Sequence, residues 1–360
     1  MSKEIIIFDV DGVLIESHGY HKAFKDTVRI GAKELGFDVN LSDDDIARFE
    51  GMGISSEWHS SAACMAVLLI NGKFDLGPLF AYIANEQAQI PVRIRLERAV
   101  HQMAIDAGVD PAHPVSLIRN SETINSFPFD IFQEMILGSA GFEEIYGIKS
   151  SLDVESYLSK FDHPQLGTAS RNRLFSWLQH PERGCAIMTN RPSRKMPDAK
   201  YAQKLVALEN IPVAGYGEME WLAERFGGEA AEYSKPSPIH ALSAALASFG
   251  KDSDACLLEA RAATKGEISE DIALLDGYEF TVFEDTPAGV ISVGAMGDLL
   301  RAQGMDVKVN KVGITSSAVK GAYLEAQGAR VFTDVNAALE GVLKFRVELS
   351  LGRMCVAPKR

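Results

Sequence analysis

The 360-residue sequence is poor in the features that staple, anchor or disorder a chain. It has four cysteines, Cys64, Cys185, Cys256 and Cys355, and no two are close. That excludes a CxxC metal or redox pattern, and scattered thiols point to a reducing compartment with no disulfide framework. Long apolar runs are missing. The longest, "AACMAVLLI" at 62–70, is far too short to span a bilayer and reads as a buried helix. The N-terminus has no basic segment leading into an apolar stretch, so no signal peptide is expected and the expected location is cytoplasmic. Positive charge is in deficit: 36 Lys and Arg against 49 Asp and Glu leave a net charge of −13. Nucleic acid and anionic membranes both need a basic face, so neither is expected as a partner. A small phosphorylated ligand needs only a local positive site and stays open. Internal repeats and low-complexity segments are also lacking, and the oligomeric state is not legible.

What is present is globular. Hydrophobic residues make up 46% and charged residues 24%, enough for a sizeable core, and the length suits one large domain or two moderate ones. Residues 5–8, within "EIIIFDVDGVLIES", read as a buried parallel strand: a short β-branched run closed by a polar turn. "CAIMTN" at 185–190, "FTVFEDT" at 280–286 and "VNKVGITSS" at 309–317 look similar. Helical patterns such as "IHALSAALASFG" and "SSAVKGAYLEAQG" lie between them, which implies a parallel sheet covered on both faces. The span after the first strand is different, rich in helical periodicity and poor in β-branched runs. Within it Ser42 is a helix N-cap with Asp45 three residues on; the acids there complement the helix dipole rather than bind metal. The expected fold is therefore α/β, a Rossmann-like doubly wound parallel sheet with a helical domain inserted after the first strand. The expected boundaries are 1–16 and 166–350 for the α/β core, 17–165 for the insert and 351–360 for a tail.

In an open parallel sheet, ligands bind outside the carboxyl ends of the strands. The first strand delivers Asp9 and Asp11, the "CAIMTN" strand Thr189 and Asn190, and the "FTVFEDT" strand Glu284 and Asp285. "SKPSP" puts Lys235 just before two prolines, either of which suits the first turn of a helix. Singly these are a turn, a solvated lysine or a helix start. An EF-hand is excluded, because Val13 stands where a third oxygen ligand is needed. Together they form one set at one sheet edge. Up to four carboxylates in a pocket raise one another's pKa, and a divalent cation removes that penalty; an all-oxygen site favours Mg²⁺. Thr189, Lys235 and the backbone N–H groups after Asp9 are suited to phosphate oxygens, leaving one carboxylate to attack phosphorus.

"FDVDGVL", "MTN", "SKPSP" and "VFEDTPAGV" resemble, in order, the four motifs of the haloacid dehalogenase (HAD) superfamily. "VGITSS…LEAQGARVFTDVNAALEGVL" resembles the end of its core, so the resemblance covers 1–17 and 168–343. It implies Asp9 as the nucleophile that forms a phosphoaspartate and Asp11 as general acid, then base. It implies Thr189, Asn190 and Lys235 around the phosphoryl group, and Asp9, the Asp11 backbone carbonyl and Asp285 on Mg²⁺ with Glu284 as a helper. The second acid, Asp11, separates this pattern from the dehalogenating branch and implies phosphoryl transfer. The insert resembles a C1-type cap, longer than the compact form. Lys235 to Glu284 spans 49 residues (284 − 235), also longer than the family pattern. His21, ten residues after Asp11 (21 − 11), and Arg191 are substrate-contact candidates, with a hinge histidine and a loop-capping arginine as the equal alternatives. The mutase branch carries a cap arginine that "FEGMGISSEW" at 49–58 does not offer. The expected activity is thus a Mg²⁺-dependent phosphatase of a small phosphorylated metabolite. The alternatives are a phosphomutase of the beta-phosphoglucomutase type, a receiver-like signalling module or a non-catalytic binding protein.

Overall fold

The structure, a computed structural model, describes residues 3–343 apart from 53, 55, 87–89 and 91. Cys355, the core end expected at 350 and the tail at 351–360 lie outside the described residues, as do two positions of the 49–58 stretch.

The chain forms two units: one from the segment up to Glu16 together with the chain from His163 onward, the other from Ser17–Asp162. The first is built on β1, Lys3–Phe8. Its side chains alternate, so Ile5 and Ile7 enter one hydrophobic cluster and Ile6 and Phe8 another. Both clusters are buried, which is why this strand reads as an unbroken apolar run instead of an alternating one. After β1 come β2, Ile15–Glu16, and β3, His163–Pro164, which pair antiparallel at the root of the insert. That pairing brings the chain back to the first unit at 163, three residues before the expected 166. Then follow β4, Arg183–Met188, β5, Val213–Ala214, β6, Tyr278–Glu284, β7, Lys308–Ile314, and β8, Arg330–Phe332.

The main sheet has the order β5-β4-β1-β6-β7-β8, with all its pairs parallel. The chain runs outward from β1 through β4 to β5, crosses back to β6 beside β1, and continues out to β8. The reversal lies at β1, so the crevice that such a sheet offers to ligands opens at the carboxyl end of β1.

On one face, Ile5, Ile7, Phe280 and Val282 pack with the helices Pro238–Ala247, Ser253–Ala263 and Pro287–Ala302. On the other, Phe8, Ile187 and Phe283 pack with Thr168–Trp177 and Asp198–Val206. The Phe8 and Phe283 rings stack at 4.7 Å across neighbouring strands. The extra chain between Lys235 and Glu284 is structural. Cys256, Leu257, Ala260, Ile272 and Leu275 from that segment are buried in the first of these clusters.

Among the described residues of the inserted unit, the regular elements are all helices. Its first helix, Gly19–Glu34, is capped by the residue that closes the unit: Asp162 accepts the N–H groups of His18 at 3.0 Å and Gly19 at 2.8 Å. A carboxylate at a helix N-terminus satisfies two orphan donors and complements the dipole. The expected cap at Ser42 forms reciprocally: Asp45 N–H donates to the Ser42 hydroxyl, and Ser42 N–H donates back to the Asp45 carboxylate. The apolar run at 62–70 lies within the helix Glu57–Asn71, whose residues from His59 to Leu68 are all buried. Phe24, Phe49, Phe80 and Phe132 supply the largest fully buried side chains of this unit.

Candidate active site at the sheet edge

Each predicted acid sits where a ladder ends. Asp9 N–H donates to the Phe283 carbonyl at 2.9 Å, so the first residue beyond β1 is still tied to β6. Asp285 is the first residue beyond β6. Between Asp9 and the end of the turn, Gly12 adopts φ +72, and a Cβ there would lie 2.7 Å from Cγ of Asp285. Only glycine allows the two loops this approach.

Lys235 is buried and donates to both Asp9 Oδ1 at 2.8 Å and Glu284 Oε1 at 2.6 Å. The second oxygen of Glu284 accepts the Thr286 hydroxyl at 3.2 Å. Helix Pro287–Ala302 passes so close that a Cβ on Gly289 would be 2.7 Å from Cγ of Glu284 and closer still to its carboxyl oxygen. Burial, and then mutual repulsion, push the Glu284 carboxyl well above the usual range; burial also pushes Asp9 up, against the attraction of Lys235. Burial works against the Lys235 ammonium, but the two carboxylates outweigh it and raise its pKa. One cation thus compensates two buried acids only in part.

Oxygens of Asp9, Glu284 and Asp285 lie within 4.8 Å of one another. The set is all carboxylate, which suits a hard divalent cation. Burial and the charge on Asp9 push Asp285 up to about 6. Lys320, in the helix Ala318–Ala326, donates to Asp285 Oδ2 at 3.2 Å and opposes that rise.

Asp11 is held from the other side. Arg191 forks onto it: Nη2 is 2.7 Å from Oδ1, and Nε is 3.1 and 3.0 Å from the two carboxylate oxygens. The arginine is buried and Asp11 is partly exposed. Thr189 is buried, its N–H donates to the Ala214 carbonyl at 3.0 Å, and its hydroxyl accepts the Arg191 N–H at 3.1 Å. Asn190 accepts the Ser234 hydroxyl at 2.7 Å through its side-chain oxygen, which links the β4 end to the residue before Lys235.

Asp9, Asp11, Thr189, Asn190, Arg191, Lys235, Glu284 and Asp285 are therefore connected at one edge of the first unit. His21 lies on helix Gly19–Glu34 of the inserted unit. Three further residues of the cluster carry no expectation from the sequence: Lys320, Gly289 and Ser234. Gly289 had a signal, since a glycine in the first turns of a helix costs stability unless something needs the space. Lys320 and Ser234 bond partners 35 and 44 residues away and leave no local pattern.

The sheet order, its crossovers and the helices on both faces define an α/β chain of the Rossmann-like doubly wound class. No family model and no curated protein matches the sequence. Among solved structures, the X-ray structure of a Northeast Structural Genomics Consortium target is similar in fold, with a TM-score of 0.62 at 16% identity, covering 97% of this chain and 100% of that one. A structure described as phosphatase Tt82 from Thermococcus thioreducens gives a TM-score of 0.50 at 15% identity, covering 94% of this chain and 99% of that one.

Proposed function

We propose that this chain is a Mg²⁺-dependent phosphatase of the HAD type, hydrolysing a small phosphate monoester through a phosphoaspartate on Asp9. The observation that carries the reading is the placement of Lys235 between Asp9 and Glu284, with Asp285 in the same cluster, at the carboxyl ends of β1 and β6. The similar Thermococcus structure is that of a phosphatase, which agrees with this reading.

Asp9 and Asp285, with the backbone carbonyl of Asp11, would hold Mg²⁺, while Glu284 has both oxygens engaged by Lys235 and Thr286. When bound, the ion supplies charge neutralisation among the acids and at the phosphoryl oxygens. Lys235 opposes the rise that burial imposes on the Asp9 carboxyl and orients it for attack on phosphorus. The same ammonium and the Thr189 hydroxyl face the incoming negative charge, which builds up in the transition state. Asp11 moves protons: it donates one to the leaving oxygen and later accepts one from the water that opens the acyl phosphate. Arg191 fixes the direction of that carboxylate through a bidentate fork, a geometry that lysine does not reproduce. The guanidinium must loosen when Asp11 carries the proton and close again when it does not. The inserted helical unit is assigned the role of a cap that selects substrate, with His21 as its candidate contact. The reading keeps a cytoplasmic location and a small phosphorylated metabolite as partner.

The test is phosphate release from a panel of sugar, alcohol and carboxylate-bearing monoesters, with Mg²⁺ and with chelator. Release that needs Mg²⁺ and disappears in Asp9→Asn supports the reading. An isomerised phosphorylated product without free phosphate points to a mutase instead.

A further inference from the structure

The two side chains proposed to hold the phosphoryl group sit on separate pieces of chain. Thr189 follows β4, and Lys235 precedes the helix Pro238–Ala247. Between their backbones lies His240, wholly buried in the first turn of that helix. Its Nδ1 is 3.3 Å from the Lys235 amide nitrogen and accepts that N–H. Its Nε2 is 2.9 Å from the Ala214 carbonyl oxygen. A carbonyl only accepts, so Nε2 carries the proton, and a single neutral tautomer satisfies both bonds.

The Ala214 carbonyl is the same one that accepts the Thr189 N–H at 3.0 Å. The imidazole therefore completes a chain of bonds from the Lys235 amide, through the ring and Ala214, to the Thr189 amide. The surroundings offer it little else. Ile239, Ala241 and Leu242 beside it in the helix are buried and apolar; a leucine in its place would bring no polar group of its own but would leave the Lys235 N–H without this acceptor. Burial and the charge of Lys235 push the ring's pKa down to about 3, so it stays neutral near pH 7.

We infer that His240 is a positioning residue that fixes Lys235 relative to Thr189 by bridging the Lys235 amide and the Ala214 carbonyl. Its consequence for phosphate binding rests on the phosphoryl-transfer reading above; the bridge itself does not.

Two variants separate bonding from space filling. His240→Leu keeps the bulk and loses both bonds. His240→Asn keeps an acceptor near the place of Nδ1 and loses much of the bulk. In the Leu variant, amide exchange at Lys235 is expected to quicken roughly tenfold or more at matched global stability. The Kd for inorganic phosphate, by calorimetry in Mg²⁺ buffer, is expected to rise roughly 10- to 100-fold, because displacements on the ångström scale cost that much. The Asn variant should recover part of both. A ring that only fills space gives the reverse order, Leu near wild type and Asn worse, and that order overturns the inference. Wild-type protein that binds no phosphate sinks the phosphatase reading instead. Exchange at Lys235 then decides the bridge by itself, with equal rates in wild type and the Leu variant counting against it. If the Leu variant does not fold, ¹⁵N spectra of the wild-type ring decide. A neutral, Nε2-protonated imidazole across the physiological pH range supports the bridge, and a ring protonated on Nδ1 or titrating near its ordinary pKa contradicts it.

Discussion

Gly289 leaves no room for a side chain beside Glu284: a Cβ would stand 2.7 Å from the glutamate Cγ. The first turns of helix Pro287–Ala302 are thus shaped around a buried carboxyl that receives Lys235. Helix propensity alone favours Gly289→Ala by about 1 kcal/mol. Overpacking typically costs about 1–3 kcal/mol, and here the displaced atom is a paired carboxylate. Urea denaturation is expected to show a net loss of stability. A gain would mean that Glu284 relaxes without cost.

Lys235→Met removes the cation shared by Asp9 and Glu284. Breaking a buried pair by removing one partner costs about 3–5 kcal/mol. In the absence of divalent cations that loss is expected near neutral pH and should shrink in acid, where the two raised carboxyls take up protons. Denaturation midpoints at two pH values check it. An equal loss at both would place the penalty in packing, not charge.

His240 adds a pH dependence opposite in sign to that of the raised carboxyls themselves. Its folded pKa of about 3 lies below its ordinary value of 6.5. Between those values the unfolded chain binds a proton that the folded ring refuses, so stability is full above the ordinary pKa and falls as pH drops through the window. The loss by the low end is on the order of a few kcal/mol. The stability–pH slope of wild type minus that of His240→Asn isolates this contribution. Parallel slopes would count against a neutral buried ring.

Lys320 is a solvent-facing partner of Asp285, and such pairs contribute about 1 kcal/mol or less. Lys320→Ala should therefore leave stability almost unchanged. It should tighten Mg²⁺ binding to the protein alone by roughly fivefold or less, because the ammonium no longer competes for the carboxylate. Calorimetric titration of the ion reads it directly; weaker binding would show that Lys320 holds Asp285 in place.

Arg191→Lys keeps a positive charge but loses the fork on Asp11. If Asp11 moves protons, the variant should lose turnover by roughly 10²-fold or more with a smaller change in KM. An unchanged rate constant would remove Arg191 from the mechanism.

Much of the core was legible because its determinants are local. The run at 5–8 must be buried on both faces to be so apolar, and the acids that follow such a strand fall at the ligand edge of a parallel sheet. β5 is two residues long and β8 three, too short for any periodicity to declare them. The return from the insert is marked only by the pairing of β2 with β3, which no local pattern declares. Arg191 remained open between substrate contact and loop cap. Its fork on Asp11 links residues 180 apart in the chain, a relation no window of sequence contains. The same holds for Lys320 on Asp285 and for the His240 ring on the Ala214 carbonyl.

The central claim is that Asp9 is a nucleophile. Acid quenching during turnover of a reactive monoester in Mg²⁺, followed by peptide mass spectrometry, tests it most directly. The account predicts a phosphoryl group on the peptide carrying Asp9, absent from Asp9→Asn, which should also be inactive. Turnover that persists in Asp9→Asn, or a phosphoryl group found on another residue, would contradict it.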